Sequence, residues 1–156
     1  MLECLATPSV SVVESNPAHR EIFAMRSEHK FPRVSCAETI DLFDKVFGPR
    51  MRLMKRQEPD ERKGWYYLEF LYVEKDYLIS FENEFVGFNI CIMNGEKFRA
   101  LSHVREYDSN LGPHQVEDAL RQLEDVLSER ILFLKQIDGR LHLELEDGSY
   151  KRVKTW

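Results

Sequence analysis

The sequence predicts an α+β fold: one domain over residues 1–156, with a mainly antiparallel sheet and two or three helices packed on it. Three observations carry this. Residues 65–93 read as consecutive strands, WYYLEFLYV, YLISFEN and EFVGFNICIM, with Lys75-Asp76 and Asn83-Glu84 between them. Two other segments repeat apolar residues at helical spacing. The C-terminal part holds two turn dipeptides, Asp138-Gly139 and Asp147-Gly148, each flanked by strand-like residues.

The central meander rests on residue type. Aromatic and β-branched side chains fit a pleated, half-buried surface. In the first run Trp65, Tyr67, Leu71 and Val73 share one face with Glu69, and Tyr66, Leu68, Phe70 and Tyr72 share the other. Both faces are largely apolar, which predicts an interior strand covered on both sides. Gly87 marks a bulge or a close backbone contact in the third run. Asn94-Gly95 ends that run as a turn, since both residues tolerate positive φ.

From the N-terminus, residues 9–14 (SVSVVE) read as a short strand. Asn16-Pro17 offers an N-cap and a proline at the first helical position, opening a helix to about Ser27. Phe31-Pro32 breaks it. A second helix is placed at 36–47. Ser35 and Glu38 make a capping-box pattern, Ile40, Phe43 and Phe47 form the apolar stripe, and Leu42 and Val46 widen it. Gly48-Pro49 ends it. Residues 50–56 form a short basic strand. Residues 96–107 fit a helix, a strand or a loop, because Phe98, Leu101 and Val104 recur at a period of three.

Pro113 opens the best helix of the chain. Val116, Leu120, Leu123 and Leu127 make its buried stripe, flanked by Ala119 and Val126. A rival reading continues this helix through Leu134, with Gly139 as its C-cap. In the hairpin reading Leu134 faces Leu143 and Leu132 faces Leu145. Around the second turn Leu145 faces Tyr150 and Glu144 faces Lys151.

Composition narrows the function. The chain has 27 acidic and 22 basic residues, a net charge of −5. That balance argues against nucleic acid and anionic membranes as partners, and fits a basic protein partner. No apolar run approaches the roughly 20 residues that span a bilayer. The N-terminus lacks the features of a signal peptide. Cys4, Cys36 and Cys91 are odd in number and widely spaced, which predicts a reduced, cytoplasmic setting and no zinc site.

Chemistry-bearing residues are sparse, and no cofactor or metal is expected. His103, Arg105, Glu106, Tyr107 and Asp108 offer acid, base and cation in one loop, as a small hydrolase would need. His142, Glu144 and Glu146 alternate on one strand face, as metal ligands could, but a Glu144–Lys151 cross-strand charge pair on a solvated face is sufficient explanation and the favoured one. Cys36 sits at a helix start, where a thiolate is favoured, and Cys91 reads as a core residue. Arg50, Arg52, Lys55, Arg56, Arg62 and Lys63 lie beside Trp65, Tyr66 and Tyr67, a pattern that can bind single-stranded nucleic acid. Glu58, Asp60 and Glu61 interrupt it.

The remaining feature is an acidic helix face: Glu117, Asp118, Glu124, Asp125 and Glu129. Such a face is either solvated or a docking surface for a basic partner. The expectation is a small acidic non-enzymatic binding protein of inhibitor or immunity type, monomeric or homodimeric. It would block a basic effector such as a toxin nuclease or a host-defence protein. The likeness to immunity proteins is one of size and charge, not of motif.

Overall fold

The computed structural model describes residues 33–60, 65–83 and 87–154. The expected strand at 9–14, the helix from Asn16-Pro17 and the break at Phe31-Pro32 lie outside them, as do Cys4, Arg62 and Lys63.

Among the described residues, eight strands form one antiparallel sheet whose spatial order is the chain order. They are β1 (Met51–Asp60), β2 (Trp65–Tyr72), β3 (Tyr77–Asn83), β4 (Phe88–Asn94), β5 (Lys97–Ala100), β6 (Leu134–Ile137), β7 (Arg140–Glu144) and β8 (Tyr150–Arg152). Helix α1 (Cys36–Phe47) precedes β1, and α2 (Pro113–Leu127) lies between β5 and β6. The α+β expectation holds, with two α-helices among the described residues.

Helix α1 starts and stops where its local chemistry demands. Ser35 accepts from the Glu38 amide at 3.1 Å, and Glu38 accepts from the Ser35 amide at 2.8 Å. Two donors at the helix start are thus satisfied reciprocally. Gly48 closes the helix at φ 57, a backbone state that only glycine adopts cheaply. Its buried residues are Cys36, Thr39, Phe43, Val46 and Phe47, while Ile40 and Leu42 are only half-buried. The helix is therefore rotated slightly from the expected stripe. Helix α2 buries the expected stripe in full. It ends at Leu127, and β6 follows at Leu134, so the longer-helix reading fails.

The core lies between the helices and one face of the sheet. Phe43 of α1 stacks on Phe70 of β2 with ring centroids 3.8 Å apart, and meets Phe81 of β3 edge-on. Tyr66, Leu68, Phe70 and Tyr72 are buried, as expected for one face of β2. The opposite face is half-buried, and Val73 is 51% exposed. The expectation of cover on both sides is thus corrected: β2 is interior to the sheet, but both described helices lie on one side. Cys91 is corrected with it. Ile90 and Ile92 point into the core, whereas Cys91 sits on the other face opposite Ser80 and Ala100.

Three turns refine the sequence reading. Asp138-Gly139 has both residues at positive φ, as a two-residue hairpin turn needs, and Leu134 pairs with Leu143. At β4–β5 the central residues are Gly95-Glu96, because Asn94 pairs with Lys97. Only Gly95 takes positive φ there. After β7 the loop is one residue longer than a two-residue turn. The Gly148 amide donates to the Leu145 carbonyl, and the Leu145 amide donates to the Ser149 carbonyl. Gly148 at φ 90 is the extra residue of a bulge. Glu144 therefore pairs with Tyr150 and Leu143 with Lys151, one position away from the expected register.

Candidate functional site: the acidic helical layer

Helices α1 and α2 pack side by side above the sheet. Their exposed sides carry most of the unbalanced charge. Glu38, Asp41 and Asp44 on α1 stand against Lys45 alone, and Glu117, Asp118, Glu124 and Asp125 on α2 against Arg121 alone. The two helices thus hold seven carboxylates and two cations. That excess equals the net −5 of the chain, so the remaining residues are balanced. Glu38, Asp41, Asp44, Asp118 and Asp125 are exposed.

The five acids expected from sequence divide into three environments. Glu117 and Glu124 turn toward α1. Glu117 accepts from Lys45 at 2.9 Å and from Arg121 at 3.4 Å. The Lys45 ammonium beside it holds the Glu117 carboxyl below its ordinary value. Glu124 pairs with Arg50 at 2.6 Å. Arg50 also donates to the carbonyls of Val46 and Phe47, closing the last turn of α1 and tying it to α2. Glu129 lies beyond the end of α2 and pairs with Arg105 at 2.6 Å. Asp118 and Asp125 form no ion pair among the described residues. The sequence reading missed that α1 contributes to the layer. Its signal was present in Glu38, Asp41 and Asp44, each outside the apolar stripe.

The rival sites do not assemble in the same way. Ser102, Glu106, Tyr107 and Asp108 line a shallow, open depression. His103 and Arg105 are not among its walls: His103 sits in a 3-10 turn and Arg105 turns to Glu129. Tyr107 stacks on Phe88 and is half-buried, and burial raises its hydroxyl pKa. His142 contacts its own strand through the Arg140 carbonyl at 2.9 Å. Glu144 pairs with Lys97 at 3.2 Å rather than with Lys151, because the bulge shifts the register. Glu146 is exposed in the turn. Among the described residues no group of three or more histidine, cysteine or carboxylate side chains could hold a metal.

The basic-aromatic stretch is also divided. Arg50 and Arg56 are engaged, Arg56 with Glu58 at 2.8 Å. Tyr66 is buried, and Lys55 covers the Tyr67 ring at 5.7 Å. Cys36 is buried, and burial followed by the Glu58 carboxylate pushes its thiol pKa up. These effects outweigh the stabilisation that a helix start offers a thiolate.

No described helix is long and apolar enough to cross a membrane. Comparison of the chain with protein-family models, curated proteins and solved structures finds no match.

Proposed function

We propose that this chain is a non-enzymatic binding protein of inhibitor type, whose helical layer docks a basic protein effector and occludes it. The supporting observation is the concentration of the entire net charge on two adjacent helices, with Asp41, Asp118 and Asp125 exposed. A predominantly negative surface of this kind speeds encounter with an oppositely charged partner and disfavours wrong ones. Glu117 and Glu124 hold the helices together, so the docking charges are the outward carboxylates. The proposal includes a reducing, cytoplasmic setting, supported by Cys36 and Cys91 both being free thiols.

The test is affinity capture from the native source with the wild-type chain and with D41K/D118K/D125K in parallel, read by mass spectrometry. A basic protein held stoichiometrically by the wild type and lost by the variant is the expected result. Equal retention by both chains rejects the helical layer as the docking surface.

A further inference from the structure

The two edges of the sheet differ. β8 is three residues long, whereas β1 runs for ten, and residues 52–58 are all exposed. The Val73 amide donates to the Arg50 carbonyl, so Arg50 turns its main chain toward β2. Alternation along an antiparallel strand then turns the amides and carbonyls of Met51 and Leu53 outward. Among the described residues, no strand other than β2 pairs with β1. The apolar exposure gathers at the same edge. Leu53 at 39%, Met54 at 52% and Val73 at 51% are the exposed large hydrophobics of the described residues. Two lie on β1, and the third is bonded to Arg50 just before it. Open main-chain groups beside exposed apolar side chains are a template for another strand.

Charge decides which strand. β1 is bulged at Met54, so that Arg52 pairs with Leu71 and Lys55 with Glu69. Leu71 and Glu69 share the sheet face away from the helices. The extra residue therefore brings Arg52 and Lys55, three apart in sequence, onto that one face. Neither forms an ion pair among the described residues, whereas Arg56 is held by Glu58. Leu53 pairs with Phe70 and lies on the helix side.

A second copy of β1 fits poorly. In a regular antiparallel self-pairing, setting Leu53 against itself opposes Arg50 to Arg56. Setting Leu53 against Met54 opposes Arg52 to Lys55, and setting Met54 against itself opposes Arg52 to Arg56. A parallel pairing in register sets each cation beside its own copy. Like charges directly opposite destabilise a strand pair. Nucleic acid would satisfy the cations, but Leu53 and Met54 call for apolar side chains.

We infer that the outer edge of β1 receives an extended segment of a partner protein as a further strand, with carboxylates two residues apart on one side and apolar side chains on the other. The carboxylates meet Arg52 and Lys55, across an interval that β2 spans with two residues. The apolar side chains lie beside Leu53, and the incoming main chain bonds to Met51 and Leu53. This surface is separate from the helical layer, and its test does not involve the basic effector.

The experiment uses the full chain and fluorescent peptides of about eight residues. One alternates valine with glutamate and one alternates valine with lysine. A third has the glutamate sequence with its main-chain amides N-methylated, which keeps the charge and blocks strand pairing. Anisotropy titration should show the unmethylated glutamate peptide binding about tenfold more tightly than either of the others. R52E/K55E changes two exposed side chains and should invert the preference between the two charged peptides. Amide exchange should slow at Leu53, and not in β8, when the glutamate peptide binds the wild-type chain. Equal binding of the methylated and unmethylated peptides would reduce the contact to charge attraction and overturn the inference. So would no binding, protection of β8 in place of Leu53, a dimer of the free protein that closes this edge, or a single-stranded oligonucleotide that protects Leu53 equally.

Discussion

Tyr66 and Tyr67 are neighbours on β2, yet their hydroxyls have different work. Tyr66 points into the core and donates to the Val34 carbonyl at 2.9 Å, with Thr39 Oγ1 2.6 Å away. Tyr67 points to the other face and donates to Glu69 at 2.7 Å. Burial raises both hydroxyl pKa values, and the Tyr67 hydroxyl is pushed up to about 12, with Glu69 adding to the effect. An unfolded tyrosine ionises near pH ~10. Above that pH the unfolded chain has shed protons that the folded chain keeps. Their stabilising contribution is therefore complete below about pH 10 and falls as pH rises through the folded values. Urea midpoints measured against pH should show this alkaline decline, and Tyr67→Phe should flatten it without much effect at neutral pH. Tyr66→Phe should also cost about 1–2 kcal/mol at neutral pH, because the buried Val34 carbonyl loses its donor. The inward direction of Tyr66 is legible from alternation along the strand. Its partners are not, since Val34 and Thr39 approach only when α1 packs.

Among the elements, α1 was the most legible because three local signals agree within a short span: Ser35, Glu38 and Gly48. Strand β5 was not legible. It has four residues, and its alternation is disguised because Arg99 occupies the helix-side position opposite Ile92. Arg99 reaches the Leu132 carbonyl at 2.8 Å, a partner that sequence cannot name. The second C-terminal turn was misregistered for a different reason. Asp-Gly suits a two-residue turn and a three-residue loop with a glycine bulge alike, and only backbone hydrogen bonds separate them. The seam between α1 and α2 is an element-level result with its own consequence. E117K/E124K should lower stability by about 1–2 kcal/mol, because it sets new cations against Lys45, Arg50 and Arg121. D118K/D125K should stay within about 0.5 kcal/mol of wild type. Thermal unfolding of the two double variants distinguishes a helix-binding role from a purely outward one. Equal losses would mean that the ion pairs do not clamp the helices.

Across the whole molecule, the sheet is continuous but unevenly tied. β1 to β4 are joined by long registers, whereas β5 and β6 share one residue pair, Phe98 with Leu134. The chain between those two strands makes α2, so β6–β8 attach through a narrow join. Amides of β6–β8 should then exchange with solvent at least about tenfold faster than those of β2–β4. Equal protection would show that the sheet opens as one unit. The meander and hairpins were legible because neighbouring strands follow one another in sequence. The acidic layer was half legible: α2 showed its charges, but nothing in sequence places α1 beside it. The division of charge, helices negative and the remainder balanced, underlies the proposed function. The most direct measurement of that claim is the association rate with the captured basic partner as a function of ionic strength. Docking through the helical layer requires a rate that falls steeply with added salt while dissociation changes little, and D41K/D118K/D125K should slow association and flatten its salt dependence. An association rate indifferent to both salt and this triple change would contradict electrostatic docking on the helices.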